Sequence, residues 1–384
     1  MAEASEDSND TPNIDDDAPR AGTNESQSTP GAAPAPAAKP PGLFARLRAR
    51  RARNAAESTP SRCVVIGPTG SGKTLMLVSL DPSVDKEVHS YAERLKVTLY
   101  GNNADFEALE QRREQHFTTG LTLPGGRVGE CFRPEFTLVI ANYKTKKQIE
   151  TRFRTFDGPG GLIIKEEFER PDVTPAALAC REMLLRALTE CETVMLCLPI
   201  DKSVTLREQR ALKSLIHEFR KNPQIRYLVV CLTMYEKLGL DLGRHAFRLL
   251  ANRSAAKERM RHALQGNLSA VNNVLEQFHM TDAKRNAWCV PVSTYGFIPN
   301  NGGANVERLI NRLQSGQEEE VERLRVWPTQ SARTHPDHEN SPPYDEKSAR
   351  THLWRPFLTL DPFIFIATGN RRGTLIHNYD EIIS

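Results

Sequence analysis

Short apolar runs alternate with one-sided amphipathic segments through the middle of the chain. Four runs are apolar almost throughout, at residues 63–66, 193–199, 225–232 and 288–292. The segment between the second and third runs repeats apolar residues at the i, i+3, i+4 and i+7 positions of a helix: Leu212, Leu215, Ile216 and Phe219. Strands that are apolar on both faces and alternate with helices are typical of a mostly parallel sheet covered on both sides. The pattern predicts a three-layer α/β fold.

Further helices are predicted from capping residues and apolar stripes. Thr174 stands before Pro175, a pair that places a capping hydroxyl ahead of the first turn and predicts a helix through about residue 190. Asp105 is predicted to cap another helix. Residues 240–325 are predicted to be mainly helical, with two apolar stripes: Leu268, Val271, Leu275 and Phe278, then Val306, Leu309, Ile310 and Leu313.

The two ends of the chain differ in composition from its middle. Residues 1–57 are predicted to be a disordered tail, acidic at first and then rich in alanine and proline. Within it, residues 42–53 carry five arginines and three larger apolar residues, which fit weak contact with an anionic membrane surface, an acidic partner, or a solvated linker. Residues 327–351 are predicted to be a polar linker, and the apolar residues 352–384 a docking segment, on the domain itself rather than on a partner.

Composition excludes several classes of protein. The net charge of +3 is too near balance to indicate specific nucleic-acid binding. No stretch of the chain approaches about 18 consecutive apolar residues, so neither a membrane span nor secretion is predicted. A cytoplasmic location is expected, with peripheral membrane contact through residues 42–53. Seven scattered cysteines without a C-x-x-C pair indicate buried, reduced thiols rather than a metal or disulfide role.

One motif stands out in chemical specificity. The apolar run 63–66 is followed by eight residues that match G-x-x-x-x-G-K-[ST] at every fixed position: Gly67, Pro68, Thr69, Gly70, Ser71, Gly72, Lys73 and Thr74. The glycines let backbone N–H groups turn inward towards phosphates. Lys73 is the candidate catalytic cation for the β- and γ-phosphates, and the Thr74 hydroxyl is a candidate Mg²⁺ ligand.

A second motif follows a predicted hairpin. Residues 136–143 and 150–156 predict two strands, and the second ends in Asp157-Gly158-Pro159-Gly160. A carboxylate at the end of a strand downstream of a phosphate loop is suited to the Mg²⁺ shell, and the backbone N–H of Gly160 to a γ-phosphate. Asp157 is therefore the second predicted metal-site residue.

Two more polar motifs follow later strands. Thr233-Met234-Tyr235-Glu236 comes after the run 225–232, and Ser293-Thr294 comes after 288–292. With the phosphate loop and D-x-x-G, this order resembles the TRAFAC-class GTPases, the Ras-like and translation-factor superfamily. The long spacings resemble bacterial GTPases of conflict or effector systems. The likeness covers roughly residues 61–315.

The resemblance implies a P-loop NTPase fold over residues 61–325 with helical insertions, and a Mg²⁺-dependent switch that binds GTP and GDP. In the family's [NT]-K-x-D motif, Thr233 matches, Met234 replaces Lys, and Glu236 replaces the Asp that pairs with guanine. Glu can still accept two hydrogens, but the choice between GTP and ATP stays open. Ser293 and Thr294 match the turn that faces the base oxygen.

The resemblance also implies how fast the chain works. Gly161 stands where Ras-like enzymes carry the glutamine that orients water, so slow hydrolysis is expected. A partner or self-association would supply the missing group, or Arg127 or Arg133 would supply it in cis. The magnesium-binding threonine of the first switch segment stays open among Thr118, Thr119 and Thr122. A nucleotide-holding pseudo-GTPase scaffold and an ATPase or small-molecule kinase are the alternatives.

Overall fold

The structure is a computed structural model. It describes residues 61–80, 95–119, 131–142, 148–163, 173–203, 205–279, 286–298, 302–312, 318–324, 356–369, 371 and 374–383. The predicted tail 1–57 with its basic stretch 42–53 and the predicted linker 327–351 lie outside these residues, as do Thr122 and Arg127.

A mixed eight-stranded sheet forms the centre of the fold, in the order β10-β7-β6-β5-β1-β4-β3-β2. Its strands are β1 Ser61–Ile66, β2 Leu95–Gly101, β3 Glu135–Asn142, β4 Gln148–Arg154, β5 Thr193–Pro199, β6 Tyr227–Thr233, β7 Asn286–Pro291 and β10 His377–Asn378. The five strands from β7 to β4 are parallel, whereas β3, β2 and β10 join through antiparallel pairs. A separate antiparallel hairpin consists of β8 Val306–Arg312 and β9 Glu318–Leu324.

Helices cover both faces of the sheet. They are α1 Lys73–Val78, α2 Ala104–Thr119, α3 Pro175–Glu190, α4 Leu206–Lys221, α5 Ala246–Leu250, α6 Arg253–Gln265, α7 Ser269–His279, α8 Asp361–Thr368 and α9 Tyr379–Ile383, with 3-10 segments at Gly160–Ile163 and Tyr235–His245. Alternate residues of the buried strands feed two cores, with α3, α4, α6 and α7 on one face and α1, α2 and α8 on the other. The predicted three-layer α/β fold is confirmed. None of these described helices has the length and apolar character needed to cross a membrane.

Local capping explains where several helices begin. Thr174 caps α3 as predicted, its hydroxyl accepting the Ala177 N–H at 3.2 Å. The capping prediction for α2 was wrong by two residues. The Asn103 side chain accepts the Phe106 N–H at 3.1 Å, and Asp105 lies inside the first turn.

The helix predicted over 306–313 was also wrong, because β8 and β9 form a hairpin there. The spacing of Val306, Leu309 and Ile310 fits a helix, but the pairing register places Glu307 opposite Arg323 and Arg308 opposite Glu322. The partner strand β9 lies at Glu318–Leu324, after the apolar stripe, so the spacing of that stripe alone could not indicate a hairpin.

The apolar C-terminal segment packs on the domain. Phe363 of α8 makes edge-on contacts with Phe136 and Phe153, with ring centroids 5.4 Å apart in each case. The backbone of Phe357 exchanges two hydrogen bonds with Ser293, at 2.8 and 2.9 Å. Strand β10 then extends the sheet beyond β7. Residues 356–369 are thus part of the core.

The expectation of reduced cysteines was wrong for one pair, because a disulfide joins Cys131 to Cys180 in α3, 49 residues apart. The fold brings together two cysteines that no local sequence motif relates. The other five cysteines are buried thiols: Cys63, Cys191, Cys197, Cys231 and Cys289. Burial raises the pKa of Cys191 and of Cys289 to about 12, which keeps these two protonated and unreactive.

Reduction of the Cys131–Cys180 bond is expected to lower the free energy of unfolding. A cross-link over 49 residues restricts the unfolded chain, an effect of about 4 kcal/mol in the loop-entropy description. Urea unfolding with and without a thiol reductant measures the difference. The Cys131→Ser variant should match the reduced protein and lose its response to reductant, whereas equal midpoints for oxidised and reduced wild type would contradict the cross-link.

Candidate phosphate-binding site

The loop between β1 and α1 curls at the carboxyl end of the central strand. Gly70 and Gly72 have φ of +72° and +76°, in the left-handed region that favours glycine, and Gly72 is the N-cap of α1. A β-carbon on Gly67 would lie 2.1 Å from the Cys197 carbonyl oxygen of β5. The loop backbone is therefore packed against the neighbouring strand too closely for a side chain.

Lys73 is folded back over this loop. Its side chain is buried, and Nζ donates to the carbonyl oxygens of Gly67 at 3.0 Å and Pro68 at 2.9 Å. Burial lowers the pKa of Lys73, and the charge of Asp157 opposes that shift. The ammonium thus lies among the atoms that would surround a phosphate, held by weak acceptors that a phosphate oxygen can replace.

Asp157 contacts the loop although it lies far from it in the sequence. The Thr74 hydroxyl donates to its Oδ2 at 2.7 Å, across 83 residues. The carboxylate is 1% exposed, and Oδ1 has no hydrogen-bond partner among the described residues. Burial raises the pKa of Asp157, while Lys73, the Thr74 hydroxyl and Arg112 act against the rise.

These oxygens fit a magnesium ion. A hydroxyl and a carboxylate lie side by side, one carboxylate oxygen is unpartnered, and Mg²⁺ prefers such hard oxygen ligands together with phosphate and water. In the described ranges, no group of three or more His, Cys, Asp or Glu side chains is arranged to hold a metal ion. Thr74 and Asp157 are the residues that would hold the ion.

The D-x-x-G segment packs directly on the phosphate loop. A β-carbon on Gly160 would lie 2.1 Å from the Thr69 backbone nitrogen. Only glycine fits such an approach. Gly161 follows in the 3-10 turn and carries no side chain that could orient water.

Thr233 joins the loop from strand β6. Its buried hydroxyl donates to the Ser71 carbonyl oxygen at 2.6 Å. Met234, the next residue, has φ of +58°, which turns the chain sharply out of the strand. Thr233 thus supports the phosphate loop rather than pointing away from it.

Glu236 and Ser293 come together at the ends of β6 and β7. Glu236 is fully buried, and burial raises the pKa of its carboxyl to about 7, partly offset by the Ser293 hydroxyl and the Tyr295 backbone. The Ser293 hydroxyl also accepts the Gly296 N–H at 3.1 Å. Thr294 is buried beside it. The structure therefore places the two predicted base-recognition segments in one cluster.

Comparison with known proteins adds little to this geometry. No protein-family model matches the chain, and no curated protein sequence matches it. Solved structures do match. One is a variant of Era from Aquifex aeolicus bound to GDP·AlF4⁻, with 11% identity and a TM-score of 0.26, over 63% of this chain and 52% of that one. The chain spans about half the length of that structure, and at these values the likeness supports no functional argument.

Sequence reasoning missed the segment that holds Asp157 in place. The Phe132 and Asp157 backbones exchange two hydrogen bonds, each 2.9 Å long. The Arg112 guanidinium lies 4.1 Å from the centre of the Phe132 ring. Neither residue belongs to a motif, so no local signal could have found them.

Proposed function

We propose that the protein is a Mg²⁺-dependent guanine-nucleotide-binding switch that hydrolyses GTP slowly. The observation that carries the proposal is the 2.7 Å hydrogen bond between Thr74 and Asp157. It joins the phosphate-loop motif to the D-x-x-G motif in three dimensions. Gly160 is packed on the Thr69 backbone, so the D-x-x-G segment reaches the same loop a second time.

Each part of this cluster has a task in phosphate binding. The loop N–H groups and Lys73 would bind the β- and γ-phosphates, because fixed donors and a buried cation are suited to concentrated negative charge. Mg²⁺, held by Thr74 and Asp157, would neutralise charge on the phosphate oxygens. Gly160 would contact the γ-phosphate, which makes the D-x-x-G segment sensitive to its presence.

Slow turnover follows from what the cluster lacks. Gly161 offers no side chain to position water, so the attacking oxygen is poorly oriented. This same feature favours the second candidate function, a scaffold that holds nucleotide and scarcely hydrolyses it. A P-loop ATPase or small-molecule kinase is the third candidate, since Met234 and Glu236 depart from the guanine-specific motif.

One titration series distinguishes these functions. Purified full-length protein is titrated with GTP and with ATP, each with Mg²⁺ and with a chelator, and product formation is then followed in a single turnover. Tight Mg²⁺-dependent GTP binding with slow hydrolysis supports the proposed function. Binding without hydrolysis supports the scaffold, and preferential binding of ATP overturns guanine recognition.

Guanine recognition by Glu236 is expected to depend on pH. Guanine donates two hydrogens and therefore needs the ionised carboxylate, but burial raises the pKa of Glu236 to about 7. Between pH 8 and pH 6 the ionised fraction falls about tenfold, and the GTP affinity should fall with it. The measurement is the ratio of GTP to ATP dissociation constants across this range, in which ATP corrects for titration of the phosphates.

The Glu236→Gln variant serves as the control for that profile. It should weaken GTP binding at pH 8 and leave a GTP-to-ATP ratio that no longer varies with pH. Burial in the folded protein disfavours the ionised carboxylate, so the pKa of Glu236 is higher in the folded state, at about 7, than the ordinary value of 4.5. The contribution of this group to the free energy of unfolding is therefore fully present below pH 4.5 and is lost as pH rises towards 7. The variant should therefore unfold no more easily than wild type at pH 8. A pH-independent ratio in wild type would remove Glu236 from base recognition.

A further inference from the structure

The cysteines of the chain differ in how far solvent reaches them. Five are free thiols that are at most 1% exposed: Cys63, Cys191, Cys197, Cys231 and Cys289. Cys180 of the disulfide is also buried, whereas Cys131 is partly exposed. A thiol dissolved in water can therefore meet the disulfide at Cys131, while the five free thiols are shielded from solutes in the folded protein.

Cys131 begins the segment that pairs with the strand end leading to Asp157. Phe132, the next residue, exchanges two backbone hydrogen bonds of 2.9 Å with Asp157. Two residues further on, the Pro134 carbonyl oxygen accepts both the N–H and the hydroxyl of Thr155, each at 3.0 Å. Residues 132–134 thus run antiparallel to residues 155–157 and hold the backbone of the candidate Mg²⁺ ligand.

Cys180, at the other end of the bond, lies in helix α3. It shares one buried core with Phe156 and Leu162, which come before and after the D-x-x-G residues in the chain. Leu162 packs so closely over that segment that a β-carbon on Gly158 would lie 2.7 Å from its Cδ1. The D-x-x-G segment is therefore supported by the Phe132 pairing and by the core that α3 covers, and the disulfide joins these two supports covalently.

We propose that the Cys131–Cys180 disulfide is a thiol-exchange site through which a dithiol reductant sets how firmly Asp157 is held. The exchange itself needs no nucleotide, and its effect on Mg²⁺·GTP binding rests on the proposed function. The composition supports a reversible bond rather than a disulfide scaffold, because five of the seven cysteines are free thiols, whereas scaffolds of that kind carry several such bonds.

The exchange consumes one dithiol and moves two electrons. A thiolate of the reductant attacks the Cys131 sulfur, the S–S bond breaks, and Cys180 leaves with the electron pair and takes a proton. The second thiol of the reductant then displaces Cys131 from the mixed disulfide, which leaves the reductant as a disulfide and Cys131 as a thiol. Cys180 becomes one more buried thiol in a core that already holds Cys191 and Cys289 in that form.

Reduction leaves the position of Asp157 to weaker restraints. Without the covalent link, the two backbone hydrogen bonds with Phe132 and the packing of Leu162 remain, and local contacts of this kind open more often than the whole fold does. In the oxidised protein the carboxylate already accepts the Thr74 hydroxyl at 2.7 Å. A ligand that is held in place before the ion arrives binds it more tightly, so we expect the disulfide to strengthen Mg²⁺ binding.

Two measurements without nucleotide test the exchange site. Native full-length protein is treated with dithiothreitol and then with iodoacetamide, and mass spectrometry locates the modified cysteines. Cys131 should be labelled after reduction, while Cys197 and Cys231 should stay unlabelled. Hydrogen exchange of the Phe132 and Asp157 amides should become about tenfold faster on reduction and slow again on reoxidation, whereas the amides of β5 and β6 should not change.

A titration with GTP measures the effect on the candidate site. Reduction should raise the dissociation constant about tenfold in Mg²⁺, at the lower end of what losing the support of a metal ligand costs, and by less than about twofold in chelator. Cys131→Ser should bind like reduced wild type and show no response to the reductant. Cys289→Ala removes a buried thiol outside the bond and should keep the full response.

A disulfide that resists dithiothreitol until the protein unfolds would overturn the exchange site. Unchanged exchange of the Asp157 amide on reduction, or an unchanged Mg²⁺-dependent affinity in a protein that binds GTP, would overturn its control of Asp157. A wild type that binds no GTP in either redox state would overturn the proposed function, and labelling and amide exchange would still decide whether the exchange site exists.

Discussion

Replacing Lys73 by alanine is expected to raise the GTP dissociation constant about 10²- to 10³-fold. The residue is the one buried cation on the phosphate loop among the described residues, and each charge-assisted contact to phosphate is worth about 1.5–3 kcal/mol. The nucleotide-free protein should stay folded, because burial already penalises the Lys73 charge, as its lowered pKa shows. Calorimetric titration with Mg²⁺·GTP measures the loss.

An exposed lysine on β2 provides the control for this variant. Lys96→Ala removes the same charge from the surface and should leave the dissociation constant unchanged. Undiminished GTP affinity in a folded Lys73→Ala protein would contradict the assignment of residues 67–74 as a phosphate loop.

Replacing Asp157 by asparagine is expected to remove most of the benefit of Mg²⁺. The amide oxygen can still accept the Thr74 hydroxyl, but the charge that would balance the ion is gone. We expect GTP affinity with Mg²⁺ to fall by about 10²-fold, at the upper end of what losing a metal-site group costs. In chelator, affinity should be unchanged or slightly higher, since a buried negative charge near the phosphates has been removed.

The Thr74→Ser variant keeps the hydroxyl and removes the methyl group, so it tests whether the hydroxyl alone accounts for the contribution of Thr74 to Mg²⁺-dependent binding. It should retain nearly all of the Mg²⁺ effect. If Asp157→Asn lost the same affinity with Mg²⁺ and with chelator, the carboxylate would be a structural turn residue instead of a metal-site residue.

The central sheet could be predicted from the sequence because its strands are buried on both faces. Strand β5 and helix α3 match their predicted bounds, since the Thr174 cap and the continuous apolar run are local signals. The motif at residues 67–74 was equally evident in the sequence, because its eight residues are consecutive, and the structure forms the predicted strand, loop and helix there; its binding of phosphate stays a prediction. The sequence predicted that Thr74 and Asp157 share a metal shell, and the structure brings the two side chains into contact; the binding of a metal ion and of a nucleotide stays a prediction.

The surroundings of the site could not be predicted, because they depend on contacts between distant residues. Phe132 and Asp157 pair across 25 positions, and Arg112 reaches Phe132 from helix α2. Strand β2 was missed because its mixture of polar and apolar residues has meaning only beside β3. In the same way, the spacing of Val306 and Leu309 is compatible with a helix until the second strand of the hairpin is known.

The contact of Phe363 with Phe136 and Phe153 has a consequence for biosynthesis. A ribosome makes β3 and β4 long before α8, so the apolar face that Phe363 covers emerges without its cover. Transiently exposed apolar surface of this kind favours aggregation and binding by chaperones. Until α8 has been synthesised, the part of the sheet that Phe363 covers is therefore open to such contacts.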